Sequence, residues 1–325
     1  MLLHPTKTYT IISEEAYADE MQKIVAALAQ YENSGYFLSA DGKKMYYEFF
    51  KVENPVGNII IVHGYTEFTK KYYELTWYYM HMGYNVFLFD LRGHGNSHRD
   101  VENLEMTHVD KFEDYVSDLD CYVQQIVAPN SDAAPLYIYA HSMGATVSML
   151  YITRYENAVK RAVLSAPMVY PFTPPLPRFM LKKLLTGEAR KFGWHAKFKF
   201  SHDFNPNVNV EKSNDASPSR FKYNLDLRIQ NLQYRNTSST NRWNFEAVTV
   251  IEKALNKNYI QKAYPNVLLI SAGQDTSVKV APQKKLAKLL KCNYKVYPNA
   301  KHSLYTQNEA ELREYLETVL GFFAE

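Results

Sequence analysis

The stretch 138-IYAHSMGAT-146 sets Ser142 where the β-formers 136-LYIYA-140 give way to the helix-formers 143-MGATVSMLYITRY-155. Strand, sharp turn and helix, with the small residues Ala140 and Gly144 on either side of the serine, is the context of a nucleophile elbow. In that turn a hydroxyl is lifted out at the carboxyl edge of a sheet. Alanine in place of glycine at the first small position is a mild departure. Alone the pattern is weak, because small-x-Ser-x-Gly arises by chance in roughly one chain in five of this length. The surrounding sequence has to decide the matter.

Working outward, 58-NIIIVHG-64, 85-NVFLFD-90, 161-RAVLSA-166, 266-NVLLISA-272 and 294-YKVYP-298 are further short, nearly continuous apolar runs. Such runs suit strands buried on both faces of a parallel sheet. Helical patterns over 69–82, 108–127 and 143–155 lie between them. The resulting βαβ series predicts an α/β fold with a mostly parallel, doubly wound sheet. Upstream, Ser13 opens a helix to about residue 31 with Tyr17, Met21, Ile24, Val25 and Leu28 on one face. The stretch 36-YFLSADGKKMYYEFF-50 reads as a hairpin turned at Asp41-Gly42.

The rhythm stops between Met168 and Tyr264, where no buried strand is evident. The breakers of 171-PFTPPLP-177, the polar stretch 201–220 and 236-NTSST-240 read as loops. This interval is expected to be an inserted, mainly helical cap. The organisation is then an N-terminal helical extension (1–34), a first core part (35–168), the cap (169–263) and a second core part (264–325).

A serine hydroxyl is a poor nucleophile at neutral pH. It needs a base within hydrogen-bond reach, a carboxylate to orient that base, and donors for the oxyanion. In 273-GQDTSV-278, Asp275 lies just past one strand; in 299-NAKHSLY-305, His302 holds the equivalent position one strand later. In 61-IVHGYTE-67, Gly64 lets the chain turn, so that the Tyr65 amide can aim at the same spot as the Met143 amide. The order Ser, Asp, His is that of an α/β-hydrolase. His63 and His141 read as structural histidines satisfied by nearby backbone, and Gly93-His94-Gly95 as the turn after 85–90 rather than a nucleotide loop.

HGYTE, 90-DLRGHGNS-97, AHSMGA, 165-SAPM-168, AGQD and NAKHSLY, in this order, resemble the lysophospholipase and monoacylglycerol lipase branch of the α/β-hydrolases. The stretch 108-HVDKFEDYVSDL-119 is especially similar to bacterial lysophospholipases. The resemblance spans about residues 35–168 and 264–325. It implies Ser142 as nucleophile, His302 as base, Asp275 as orienting acid, and the Tyr65 and Met143 amides as the oxyanion hole. It implies no cofactor and carries no substrate contacts over to the cap.

Composition narrows the field. Lys+Arg at 37 against Asp+Glu at 34 gives a formal charge of +3, too balanced to predict nucleic-acid binding. Cys121 and Cys292 form no framework, no metal cluster is visible in the spacing, and no apolar run approaches the ~18 residues of a membrane span. A cytoplasmic protein is expected. The run 176-LPRFMLKKLLTGEARKFGWHAKFKF-200 holds seven Lys or Arg and one acid, Glu188. Such a basic, apolar segment could rest on anionic headgroups at the inner membrane face. The expected function is a serine ester hydrolase acting on lysophospholipids or monoacylglycerols through an acyl-enzyme. The alternatives are a small-molecule carboxylesterase or a peptidase on the same scaffold, and a non-catalytic binding protein.

Overall fold

A computed structural model describes the chain except residues 1, 156, 171–175, 258, 259, 261–263 and 265. Most of the breaker run 171–177 and the expected cap boundary at 263 therefore fall outside the described residues. Along the chain, helix α1 (Tyr17–Leu28) precedes the hairpin strands β1 (Glu32–Leu38) and β2 (Lys44–Phe50). There follow β3 (Gly57–Val62), α2 (Tyr73–His81), β4 (Tyr84–Phe89), the dipeptide strand β5 (Met106–Thr107), α3 (Phe112–Tyr122) and the short α4 (Ala128–Asn130). Next come β6 (Leu136–His141), α5 (Ser142–Arg154) and β7 (Val159–Ser165), then α6 (Arg178–Phe192), α7 (Pro218–Gln230), the dipeptide strand β8 (Ser238–Ser239) and α8 (Asn241–Ala254). The chain closes with β9 (Val267–Ala272), α9 (Val280–Leu290), β10 (Asn293–Tyr297) and α10 (Glu309–Ala324).

Eight strands form one sheet in the order β1-β2-β4-β3-β6-β7-β9-β10. Only the β1–β2 and β2–β4 pairs are antiparallel. Every residue of β3, β4, β6 and β9 is buried, which is why these strands read as unbroken apolar runs rather than alternating ones. Alternate residues still serve opposite faces. Ile60 and Val62 pack with Val116, Val147 and Leu286 of α3, α5 and α9, whereas Ile59 and Ile61 pack with Met21, Tyr78 and Leu316 of α1, α2 and α10. From β3 the order runs outward to β4 on one side and to β6 on the other. The crevice beyond the carboxyl ends of β3 and β6 is thus a switch point, where ligands of such sheets bind.

The interval between β7 and β9 is mainly helical, with two corrections to the sequence reading. Within 236-NTSST-240, expected to be loop, Ser238 and Ser239 pair in parallel with Met106 and Thr107. Two polar residues give no apolar signal, and this pairing is fixed by tertiary contact. Residues 108–111, expected at the start of a helix, precede it, because α3 begins at Phe112. Helix α7, within a stretch partly read as loop, starts where Ser217 caps Pro218 by accepting from the Arg220 amide. Its Arg220 is fully buried and reaches both oxygens of Glu74 (2.6 and 3.0 Å) and the Ile12 carbonyl (3.0 Å). That guanidinium ties the inserted segment to α2 and to the N-terminal extension.

Candidate active site

The elbow is built by close approach. Ser142 holds φ +50, a conformation that costs a side-chain-bearing residue about 1–2 kcal/mol and persists only where packing enforces it. Its carbonyl accepts the Met168 amide at 3.0 Å. A Cβ on Gly144 would lie 2.3 Å from the Val62 carbonyl oxygen and 2.4 Å from that of His63, so only glycine lets α5 start against the end of β3. Gly64 is likewise a place of close contact: a Cβ there would lie 2.8 Å from Glu67 Oε2 and 3.2 Å from Ser142 Cβ. Its backbone does not take positive φ, so the expected reason for this glycine, freedom to turn, is replaced by lack of space. The positive φ of this turn is at Thr66 (+64).

Beyond β9 and β10 the chain brings Asp275 and His302 to this turn. His302 Nε2 lies 2.9 Å from Ser142 Oγ, and its Nδ1 lies 2.7 Å from Asp275 Oδ2. The other Asp275 oxygen accepts the amides of Ser277 (2.7 Å) and Val278 (2.9 Å). A carboxylate at Nδ1 keeps the ring proton there and leaves the Nε2 lone pair for the serine hydroxyl. Both His302 and Ser142 are buried, at 4% and 8% exposure. The amides of Tyr65 and Met143 flank the serine in sequence and on the β3 loop, and neither meets an acceptor among the described residues.

Glu67, which the sequence reading passed over, organises the β3 loop. Its carboxylate accepts the Gly64 amide, the Tyr72 hydroxyl and the Tyr305 hydroxyl, each at 2.6 Å, and Lys71 Nζ at 2.8 Å. Burial pushes the Glu67 carboxyl up, but Lys71, His141 and Tyr305 outweigh it and hold it well below the usual carboxylate range.

The two flanking histidines differ. His63 fits the structural expectation: its Nδ1 faces the Gly64 carbonyl at 2.8 Å, and its Nε2 accepts the Leu91 amide at 2.9 Å. His141 does not. Its Nδ1 has no partner among the described residues, and its Nε2 stands 3.9 Å from Glu67. Its ring lies 4.7 Å from that of His302. The expectation failed because the backbone around His141 is consumed by β6 pairing and by the elbow.

Burial pushes the His141 imidazole down to about 3, and it lowers His63 and His94 as well. A base whose folded pKa lies below its unfolded value near 6.5 contributes stability in full above that value. The contribution is lost as pH falls below it. We expect His141 alone to remove about 2 kcal/mol between pH 6.5 and 5, with His63 and His94 adding in the same direction. Glu48 and Asp118, raised by burial to about 7 and about 6, gain stability in the same window, so the His141 part is read by urea unfolding of the parent against His141→Gln at these two pH values; the same pH dependence in both would contradict it.

One cluster was invisible in the spacing. His108, Asp110 and His195 bring three potential ligand atoms within 4.8 Å of one another. The two imidazoles stack at 4.3 Å and 13°, so their in-plane lone pairs run side by side rather than converging on one ion. Cys121 and Cys292 are free thiols. No helix among the described residues is long and apolar enough to cross a membrane.

A cavity of about 580 Å³ opens over Ser142 and His302 and is roofed by the segment between β7 and β9. The Tyr65 ring stacks on Trp243 at 4.2 Å, and its hydroxyl donates to the Ser238 carbonyl at 2.9 Å. The loop after β3 and the roof are therefore held together.

Similar proteins are found by sequence and by fold. The Hydrolase_4 family, described as serine aminopeptidase S33, matches residues 53–311. A probable lysophospholipase L2 of Haemophilus influenzae is 27% identical over 290 residues, covering 86% of this chain and 88% of that protein. The lysophospholipase L2 of Escherichia coli K12 is 35% identical over 136 residues, 42% of this chain and 39% of its own length. Among solved structures, a soluble variant of the monoglyceride lipase of Saccharomyces cerevisiae, in complex with a substrate analog, superposes with a TM-score of 0.69 at 18% identity. That match covers 90% of this chain and 94% of the yeast chain.

Proposed function

The chain belongs to the Hydrolase_4 family of α/β-hydrolases, and from that premise we propose that it is a serine hydrolase cleaving the acyl ester of lysophospholipids or monoacylglycerols. The observation that carries this reading is the Asp275–His302–Ser142 relay, at 2.7 and 2.9 Å, opening into a cavity with one apolar wall. The named substrates of its relatives in bacteria and yeast support the lipid class.

In this mechanism Ser142 Oγ attacks the ester carbonyl while His302 Nε2 takes its proton. The Tyr65 and Met143 amides hold the oxyanion of the tetrahedral intermediate. Collapse expels the glycerol-side alcohol, which receives the proton from His302, and leaves the acyl group on Ser142. Water then attacks the acyl-enzyme, giving its proton to His302, and the fatty acid departs as the proton returns to Ser142. Asp275 keeps the imidazole oriented throughout. Leu181, Phe198, Trp243, Ala247 and Val248 supply an apolar wall for the acyl chain.

A peptidase that trims N-termini needs a carboxylate for the substrate ammonium. The acids lining the cavity, Glu67 and Asp215, already face Lys71 at 2.8 and 3.8 Å, which disfavours that reading. The test is a panel of 1-acyl lysophospholipid, 1-acylglycerol and an aminoacyl anilide. We expect both lipids to turn over and the anilide to be inert; the reverse ranking would overturn the lipid reading.

We further propose that residues 169–263 act as the cap and that α6 lies on anionic membrane. Helix α6 carries exposed Phe179, Met180 and Phe192 among the exposed cations Lys183, Arg190 and Lys191, a mixture suited to an interface. Lys182 is engaged by Glu252 at 2.5 Å and contributes less. At about 1 kcal/mol per interfacial cation, replacing Lys183, Arg190 and Lys191 with Gln is expected to weaken partitioning to anionic vesicles by about 10²-fold at low salt. Unchanged partitioning in a vesicle sedimentation assay would leave α6 as a solvated face. A cytoplasmic location belongs to the same proposal.

A further inference from the structure

The cavity over Ser142 is walled by two unlike groups of elements. Helices α6 and α8 give the apolar side, where Leu181, Phe198 and Val248 pack as one cluster. Helix α7 gives a different side. Phe221, Asn224, Leu225 and Arg228 all line the cavity, and their spacing of three and four residues marks one helical face.

Arg228, which is partly buried, differs from the buried arginines. Arg92 bonds to Asp41 and Asp118, and Arg220 bonds to Glu74, so each charge is met by carboxylate. Arg228 meets neutral acceptors: the Tyr234 carbonyl at 3.2 Å, the Asn236 carbonyl at 2.7 Å and Thr237 Oγ1 at 2.8 Å. Its guanidinium lies 4.8 Å over the Phe204 ring. Arg99 also meets only neutral acceptors, but it is not part of the cavity wall. Burial pushes Arg228 down to about 10, against the opposing pull of the Asp215, Glu105 and Glu67 charges, and it remains a cation at neutral pH.

The other partly buried cation of the wall, Lys71, is neutralised by Glu67. Asp215, the other acid of the wall, also faces Lys71, at 3.8 Å, so Arg228 is left as a wall cation with no carboxylate hydrogen-bonded to it among the described residues. One turn before it, Asn224 is buried at 7% exposure, and its Oδ1 has no partner among the described residues. A buried polar atom without a partner is costly. Asn224 itself belongs to the lining of the cavity. In Arg228, Nε and Nη2 are held by residues 234–237, which leaves Nη1 as the nitrogen that can donate to a phosphate oxygen. A side-chain amide beside it suits a glycerol hydroxyl or a further phosphate oxygen.

We propose that Arg228 and Asn224 form a headgroup subsite for a phosphate ester, so that this enzyme selects lysophospholipids over monoacylglycerols. The proposal rests on the lipid ester reading above and supplies the headgroup that reading leaves open. The phosphate is anchored by α7 while the acyl chain lies along α6 and α8, and the ester between them meets Ser142.

The test compares kcat/KM for 1-oleoyl lysophosphatidylglycerol with that for 1-oleoylglycerol, both in the same neutral detergent micelles. The quantity read is the ratio of the two within one preparation, so a partly inactive sample does not disturb it. Arg228→Gln is expected to lower this ratio at least ~10-fold, since a charged hydrogen-bonded contact is lost. Arg228→Lys should recover part of it, and Asn224→Ala should lower it less. Arg228 also braces residues 234–237, so a second measurement uses the unmodified enzyme. Glycerol 3-phosphate should inhibit hydrolysis of a short nitrophenyl ester competitively, and glycerol at the same concentration should not. A ratio within twofold of the unmodified enzyme in Arg228→Gln and Asn224→Ala overturns the subsite and leaves the lipid reading intact. Should Arg228→Gln not fold, equal potency of glycerol and glycerol 3-phosphate overturns it. Turnover of neither lipid overturns the lipid reading, and the subsite with it.

Discussion

Ser142→Ala is expected to fold as the parent does and to lose at least ~10³-fold in kcat toward any ester substrate. The hydroxyl removed is 2.9 Å from His302 Nε2 and makes no contact on which the elbow depends. The turn is held by backbone, through the Ser142 carbonyl and the contact of Gly144 with β3. His302→Ala should be about as severe, and the double variant little worse than either, because a nucleophile and its base act as one unit. Steady-state kinetics on a soluble nitrophenyl ester, with enzyme concentration taken from absorbance, gives all three values. Multiplying losses in the double variant would mean that the two residues act independently and would break the relay.

The second large effect is on folding. Gly144→Ala puts a methyl 2.3 and 2.4 Å from two backbone carbonyl oxygens of β3, atoms that cannot swing aside as a flexible side chain would. Relief requires α5 to move off the central strands, and we expect at least ~3 kcal/mol of destabilisation, the upper end of overpacking costs. Gly187→Ala is the matched control. It sits within exposed α6 with nothing within 4 Å of the added methyl. Alanine there should stabilise by about 0.5–1 kcal/mol through helix propensity alone. Urea denaturation of the pair separates crowding from a general response to added volume; similar stability of the two variants would contradict the close packing at Gly144.

The parts legible in the sequence and the parts that were not differ for a physical reason. The strands of a doubly wound sheet are buried on both faces, so β3, β4, β6 and β9 appear as apolar runs without any alignment. Ser142, Asp275 and His302 follow such runs directly, and the structure brings all three within hydrogen-bond distance of their neighbours in the relay. What escaped is what depends on contact between distant segments. Ser238 and Ser239 become a strand only because Met106 and Thr107 lie beside them. Arg220 reads as one more polar residue until its approach to Glu74 is seen. The lone carboxylate of Glu67 gives no hint that four donors converge on it. Arg228 and Asn224 lie on a helix whose cavity-facing side is defined by what it covers, which periodicity within α7 does not specify. Nor could residue spacing tell His63, satisfied by the β3 and β4 backbone, from His141, left with an unpartnered nitrogen beside the base.

The central claim is that Ser142 carries the acyl group. It is tested most directly by quenching the enzyme in acid during turnover of a long-chain nitrophenyl ester and locating the acyl adduct by peptide mass spectrometry. The account predicts one adduct, on the peptide containing 138-IYAHSMGAT-146 and assigned to Ser142, formed in a burst with one equivalent of nitrophenol and absent from Ser142→Ala. Hydrolysis that proceeds in Ser142→Ala at near-parent rate, or an acyl group trapped on another residue, would contradict it.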